Sequence, residues 1–121
     1  MNPYVYPGIR DTGDITCLVA GMLGFTIEEL QARRKSRKRP YVEARQIIVY
    51  FLNRYGMTLG AAGMVFKKDH ATVLHSIRAV RNMYDTNKDF AHMIDKIDMR
   101  VLTIKNHNND TEQQRTADLL V

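Results

Sequence analysis

Apolar residues recur at three- and four-residue spacing along most of the chain, and glycines or polar stretches cut the pattern into helix-length pieces. Ile15, Leu18, Val19, Met22 and Leu23 predict a short amphipathic helix from Asp14 to Leu23, closed by Gly24. Thr26 followed by Glu29 has capping-box spacing and opens a second short helix that runs into a basic segment. Pro40 suits the first turn of a longer helix, whose Ile47, Ile48, Phe51, Leu52 and Tyr55 line one face before Gly56 stops it. Thr58 is placed to cap a helix from Leu59 to Phe66, and Lys67-Lys68 leads tightly into another from Asp69 to Tyr84. A short helix, a tight turn and a longer helix make a helix-turn-helix. Phe90, Met93, Ile94, Ile97, Val101, Leu102 and Ile104 predict a final helix from Lys88 to Lys105.

The ends read differently. Residues 1–12 carry Pro3, Pro7 and Gly8 without helical periodicity and read as an extended arm, while residues 106–121 begin with a polar run that reads as a flexible tail. Residues 13–105 then form one folded unit, and no repeat or strand pattern interrupts them. The expected fold is an all-α helix-turn-helix bundle. A chain of 121 residues holds one core and leaves no room for a separate ATPase or nuclease module beside it.

Charge narrows the partners. A net charge of +5 and a pI near 9.5 favour polyanions: DNA, RNA or an acidic membrane surface. No run of about eighteen apolar residues occurs, and the first residues have neither the basic nor the apolar region of an export signal, so a soluble cytoplasmic protein with no membrane association is expected. The single Cys17 excludes an internal disulfide, and its apolar neighbours suggest that it is buried. His70 and His75 lie about 140° apart on a helix, which is wrong for a shared metal. No carboxylate cluster accompanies a nucleophile or metal set, so no catalytic residue, metal or cofactor is expected.

Two segments carry the candidate chemistry. On the helix after Lys68, Val73, Ile77, Val80 and Tyr84 fall within about 60° of one another, with Leu74 and Arg81 on their flank, and this face is expected to point inward. Ala71, His75, Arg78 and Asn82 lie opposite, with Thr72 and Ala79 at the edge, a small and polar face fit for a major groove. Asp69 caps the helix or also accepts from a cytosine amino group; both roles are open. His70 and Thr72 project from the first turn, the Ala71 methyl suits a thymine methyl, and Lys68 and His75 favour phosphates. Arg33-Arg34-Lys35-Ser36-Arg37-Lys38-Arg39 is a basic run that reads as solvated surface or as a phosphate grip. Because it precedes the helix carrying Arg45, Lys35, Arg37 and Arg39 are expected to reach a neighbouring groove, where an arginine responds to the potential of a narrow minor groove.

Arg37-Lys38-Arg39, Ala44-Arg45-Gln46-Ile47, Leu59 with Gly63 and Phe66, and Asp69-His70-Ala71-Thr72-Val73-Leu74-His75 together resemble the C-terminal, origin-binding domain of the bacterial replication initiator family DnaA, in order from Asp14 to Val80. The resemblance implies an all-helical domain that reads a short asymmetric duplex as a monomeric unit. It implies that Arg37 enters the minor groove with Lys35, Arg39 and Arg45 on the backbone, that Asp69, His70, Ala71 and Thr72 face bases, and that Lys68 and His75 lie near phosphates. Three departures stand out: Ala71 replaces a threonine usual in the family, the turn before Asp69 is compact, and Glu43 stands where a basic residue is common.

The expected partner is double-stranded DNA, with replication proteins as further candidates. No Gly-x-x-x-x-Gly-Lys-Ser/Thr loop occurs, so neither ATP binding nor origin melting is expected of these residues. The sequence reads as an excised domain or a free-standing DnaA-like protein, and Met1 with its arm favours the second. Alternatives are an adaptor that docks replication proteins through its last helix, where Met93, Met99 and Leu102 would then be exposed, and a transcription regulator with a different DNA site.

Overall fold

The computed structural model describes the backbone of residues 9–120 and the side chains of residues 13–104. Within that span the chain forms six helices and no strand: α1 (Ile9–Met22), α2 (Ile27–Ala32), α3 (Arg39–Arg54), α4 (Leu59–Met64), α5 (His70–Thr86) and α6 (Lys88–Leu120). The helix borders follow local chemistry. Thr26 and Thr58 each accept a hydrogen bond from the main-chain N–H three residues on, at 3.1 Å in both cases, and so cap α2 and α4. Pro40 sits in the first turn of α3, where its missing N–H costs nothing. Gly24 and Gly56 take positive φ at the two predicted stops, and after Gly56 the Met57 N–H closes back on the Leu52 carbonyl at 2.9 Å.

α3 is the centre. Its apolar face contributes Ile47, Ile48, Phe51 and Leu52, all essentially inaccessible to solvent, and it packs against α1, α2, α4 and, most extensively, α5. Val19, Leu30, Phe66, Val73 and Val80 complete the core around it. α6 lies across α1 and α5 and buries Phe90, Ile94, Ile97 and Val101, the three-and-four spacing of a helix seam. Polar ties fix α6 at two heights: Asp98 accepts from Tyr55 and pairs with Arg54 of α3, and Tyr84 of α5 donates to Asp95 at 2.8 Å.

Several sequence expectations shift. α1 starts at Ile9 rather than Asp14: Asp11, Thr12 and Gly13 continue the helix without an apolar mark, so periodicity gives no cue to them. Cys17 is exposed, not buried, because Ile15 and Val19 set the inward face and Cys17 falls about 200° from Ile15 on that helix. Thr16 and Ala20 take the buried positions instead, and Met22 is 39% exposed. On α6, Met93 is half-buried, whereas Met99 and Leu102 stand out at 69% and 40% exposure. The predicted arm lies, for residues 1–8, outside the described residues; the side chains of the predicted tail do so as well, although the α6 backbone runs on to Leu120. No helix among the described residues is long and apolar enough to cross a membrane.

Candidate nucleic-acid interface

The connection between α4 and α5 is tight because Gly63 allows it. The Lys68 N–H donates to the Gly63 carbonyl at 2.8 Å, and a side chain at position 63 would collide with the Lys68 carbonyl oxygen and come within 2.9 Å of Val73 Cγ2. Lys67 completes the turn with φ of 54°, a left-handed conformation that a β-carbon resists. Phe66 then drops into the core, and Lys68 is left half-buried beside α3.

α5 opens on Asp69, whose carboxylate accepts from the Thr72 main-chain N–H at 2.8 Å. Hydrogen bonding by the Thr72 main chain and hydroxyl holds the Asp69 carboxyl below its ordinary range, so it is an anion across neutral pH. His70, Ala71, Thr72, His75, Arg78 and Asn82 are exposed, as the helical phase predicts. The inward face is Val73, Ser76, Ile77 and Val80. Ser76 was not expected there; its hydroxyl donates to the Thr72 carbonyl at 3.0 Å, which satisfies it without a partner from another element. Tyr84 stands at the margin with 39% exposure, a correction to the inward face drawn from periodicity, while Leu74, expected on its flank, is 38% exposed. His70 leans toward α4: a β-carbon on Gly60 would lie 2.7 Å from its Nε2. The imidazole therefore rests over a glycine while still open to solvent.

The basic run occupies the loop over residues 33–38 and the first residue of α3. Lys35, Arg37, Lys38 and Arg39 are exposed. Arg33 lies over the Tyr41 ring, 5.1 Å from its centroid. Arg45 has a task that sequence spacing does not reveal: it reaches back from α3 and donates to the main-chain carbonyls of Arg33 at 2.9 Å and Ser36 at 2.6 Å. Gln31, which no pattern singles out, donates its side-chain N–H to the Val65 carbonyl at 3.0 Å and so ties α2 to the helix-turn-helix connection.

Charges of the loop and of the connection into α5 lie within electrostatic reach of one another. A cleft of about 130 Å³ between α3 and α5 is lined by Arg45, Gln46, Lys68, Thr72, His75 and Ser76, among others. The Lys68 ammonium is held below the usual lysine range, first by partial burial and then by repulsion from Arg45, Arg34 and Lys35. Such crowding of like charge on a surface with hydrogen-bond donors is the electrostatic condition for taking up an anion.

The model of the bacterial dnaA protein helix-turn-helix matches residues 13–80, which run from within α1 to the middle of α5 and include the basic loop, Arg45, Gly63 and the first turns of α5. The chain belongs to the DnaA helix-turn-helix family. It is similar to proteins named chromosomal replication initiator protein DnaA: 34% identical over 86 residues to that of Flavobacterium psychrophilum, 36% over 76 to that of Bacteroides thetaiotaomicron and 30% over 79 to that of Porphyromonas gingivalis. These stretches cover 69%, 61% and 64% of this chain but only 18%, 16% and 17% of the relatives, so the chain spans less than a fifth of their length. As a member of the DnaA family it carries an all-helical, DNA-binding helix-turn-helix.

Proposed function

We propose that this chain reads double-stranded DNA of the DnaA-box type, with the exposed face of α5 in a major groove and the loop over residues 33–38 turned toward the adjacent minor groove, in replication initiation or its regulation. The observation that carries the reading is the shared edge: Lys68 from the helix-turn-helix connection lies within electrostatic reach of Arg34, Lys35 and Arg45 from the loop side. One duplex thus meets both segments at once. In this reading Asp69, His70, Ala71 and Thr72 face bases, Lys68 and His75 meet phosphates, Arg37 enters the minor groove, and Lys35, Arg39 and Arg45 support it from the backbone side. The activity proposed is binding, not catalysis.

Fluorescence anisotropy tests it, with a duplex carrying a DnaA-type site against a scrambled duplex at near-physiological and raised salt. A preference that survives raised salt is expected, since phosphate contacts alone weaken steeply as salt rises. Arg37→Ala should weaken the preferred complex by about 1–3 kcal/mol, the size of one base-reading contact. Equal, strongly salt-dependent binding to both duplexes sinks DnaA-box reading and points to another target sequence, as for a DnaA-like transcription regulator.

Met99 and Leu102, exposed on α6, favour a second reading as an adaptor for replication proteins. Co-purification of such a protein that persists after nuclease treatment and is lost in Met99→Lys supports it. Loss on nuclease treatment removes it.

A further inference from the structure

The loop and the recognition helix belong to different parts of the chain, yet two side chains brace them through their neighbours, one from α2 to the connection before α5 and one from α3 to the loop. Gln31 at the end of α2 donates to the Val65 carbonyl, in the connection that leads to α5. Two residues later the chain enters the basic loop, and Arg45 from α3 donates to the Arg33 and Ser36 carbonyls across that loop. The bonds described for the loop's own main chain are short-range, among them Arg34 N–H to the Gln31 carbonyl at 3.3 Å, Ser36 N–H to the Arg33 carbonyl at 2.9 Å and Lys38 N–H to the Ser36 hydroxyl at 3.3 Å. None of these reaches the helix-turn-helix.

We infer that Gln31 and Arg45 are positioning residues that hold the basic loop in fixed register with the recognition helix, so that both segments fit one duplex without reordering at binding. The inference rests on the DNA-reading proposal for its consequence and on the free protein for its structure. Arg45 serves here through the loop: both of its guanidinium contacts are to main-chain carbonyls, made from two nitrogens of a rigid planar fork that the compact, flexible ammonium of a lysine does not reproduce. Gln31 is exposed and outside the core, so its truncation leaves the bundle folded. A loop that is not held must be ordered when DNA arrives, and that cost falls on the complex in which both segments engage.

The first readout needs no DNA. Hydrogen exchange of the free protein should quicken at residues 33–38 in Gln31→Ala and Arg45→Lys while α3 and α5 keep their protection; unchanged exchange in the loop overturns the inference whatever the protein binds. The second is a double-mutant cycle by anisotropy. Gln31→Ala should weaken the preferred duplex about fivefold, the net worth of one hydrogen bond, and the scrambled duplex less than about twofold. In an Arg37→Ala background the same change should cost less than about twofold, because the residue it positions is gone. Arg45→Lys keeps its charge, so the slope of affinity against salt should match the wild type while selectivity falls. Equal losses on both duplexes, or full additivity with Arg37→Ala, overturn the positioning role. A wild-type protein that prefers no duplex overturns the DNA-box proposal instead, and leaves the exchange result to decide the loop's tether.

Discussion

At residue 63 the backbone of the helix-turn-helix passes so close to the Lys68 carbonyl that hydrogen is the only side chain that fits. Gly63→Ala is expected to destabilise the protein by about 3 kcal/mol, since the obstacle is backbone and the fully packed Val73 stands on the other side. Lys67, four residues on, is the opposite case. It holds a left-handed φ of 54° against its own β-carbon, and a glycine there loses that strain while giving back part of it as chain entropy. Lys67→Gly should therefore stabilise by about 0.5–1 kcal/mol. Urea titrations of the two variants settle both signs; a neutral Gly63→Ala would show that the turn is loose. Gly63 stood out in the sequence through the family resemblance but not as a steric requirement, because that need depends on how near another segment passes.

Among the elements, α6 depends on polar ties at its contact with α3. Burial, followed by the hydrogen bond to Asp98, raises the Tyr55 hydroxyl above its ordinary range. The folded state therefore keeps a proton that the unfolded chain releases above about pH 10, and stability contributed by Tyr55 is present below that pH and falls as pH rises beyond it. Tyr55→Phe is expected to cost about 1 kcal/mol at neutral pH and to narrow the gap to wild type above about pH 10. A gap that stays constant from pH 8 to pH 11 in denaturant titrations would remove the link to this hydroxyl. Most helix borders were legible beforehand, because Thr26, Pro40, Gly56, Thr58 and Asp69 act on their own neighbours. The candidate site was legible in its exposed α5 residues for the same reason. What lay hidden were contacts distant in sequence, Gln31 to Val65 and Arg45 to the loop, and the outward shift of Tyr84 to the margin. Cys17 misled because apolar neighbours in sequence are not neighbours around a helix.

For the whole molecule, the net charge of +5 is not spread evenly; Arg45, Arg34 and Lys35 all repel Lys68 at one edge. The folded protein gathers charges that the unfolded chain keeps apart, so screening should stabilise it. Raising sodium chloride from about 20 to 200 mM is expected to lift the melting temperature by roughly 2–4 °C, corresponding to about 0.5 kcal/mol. Phosphate at equal ionic strength should lift it further, and Lys68→Gln should blunt both responses. A melting temperature indifferent to anion type would mean that the cleft beside Arg45 and Lys68 has no affinity for phosphate.

The brace on the basic loop grips only main-chain oxygens. Its shape is therefore indifferent to which side chains stand at positions 35, 37 and 39, and those side chains are exposed. Lettering and typeface are separable here: residues on this loop can be exchanged to alter what the protein reads without redrawing the frame that presents them.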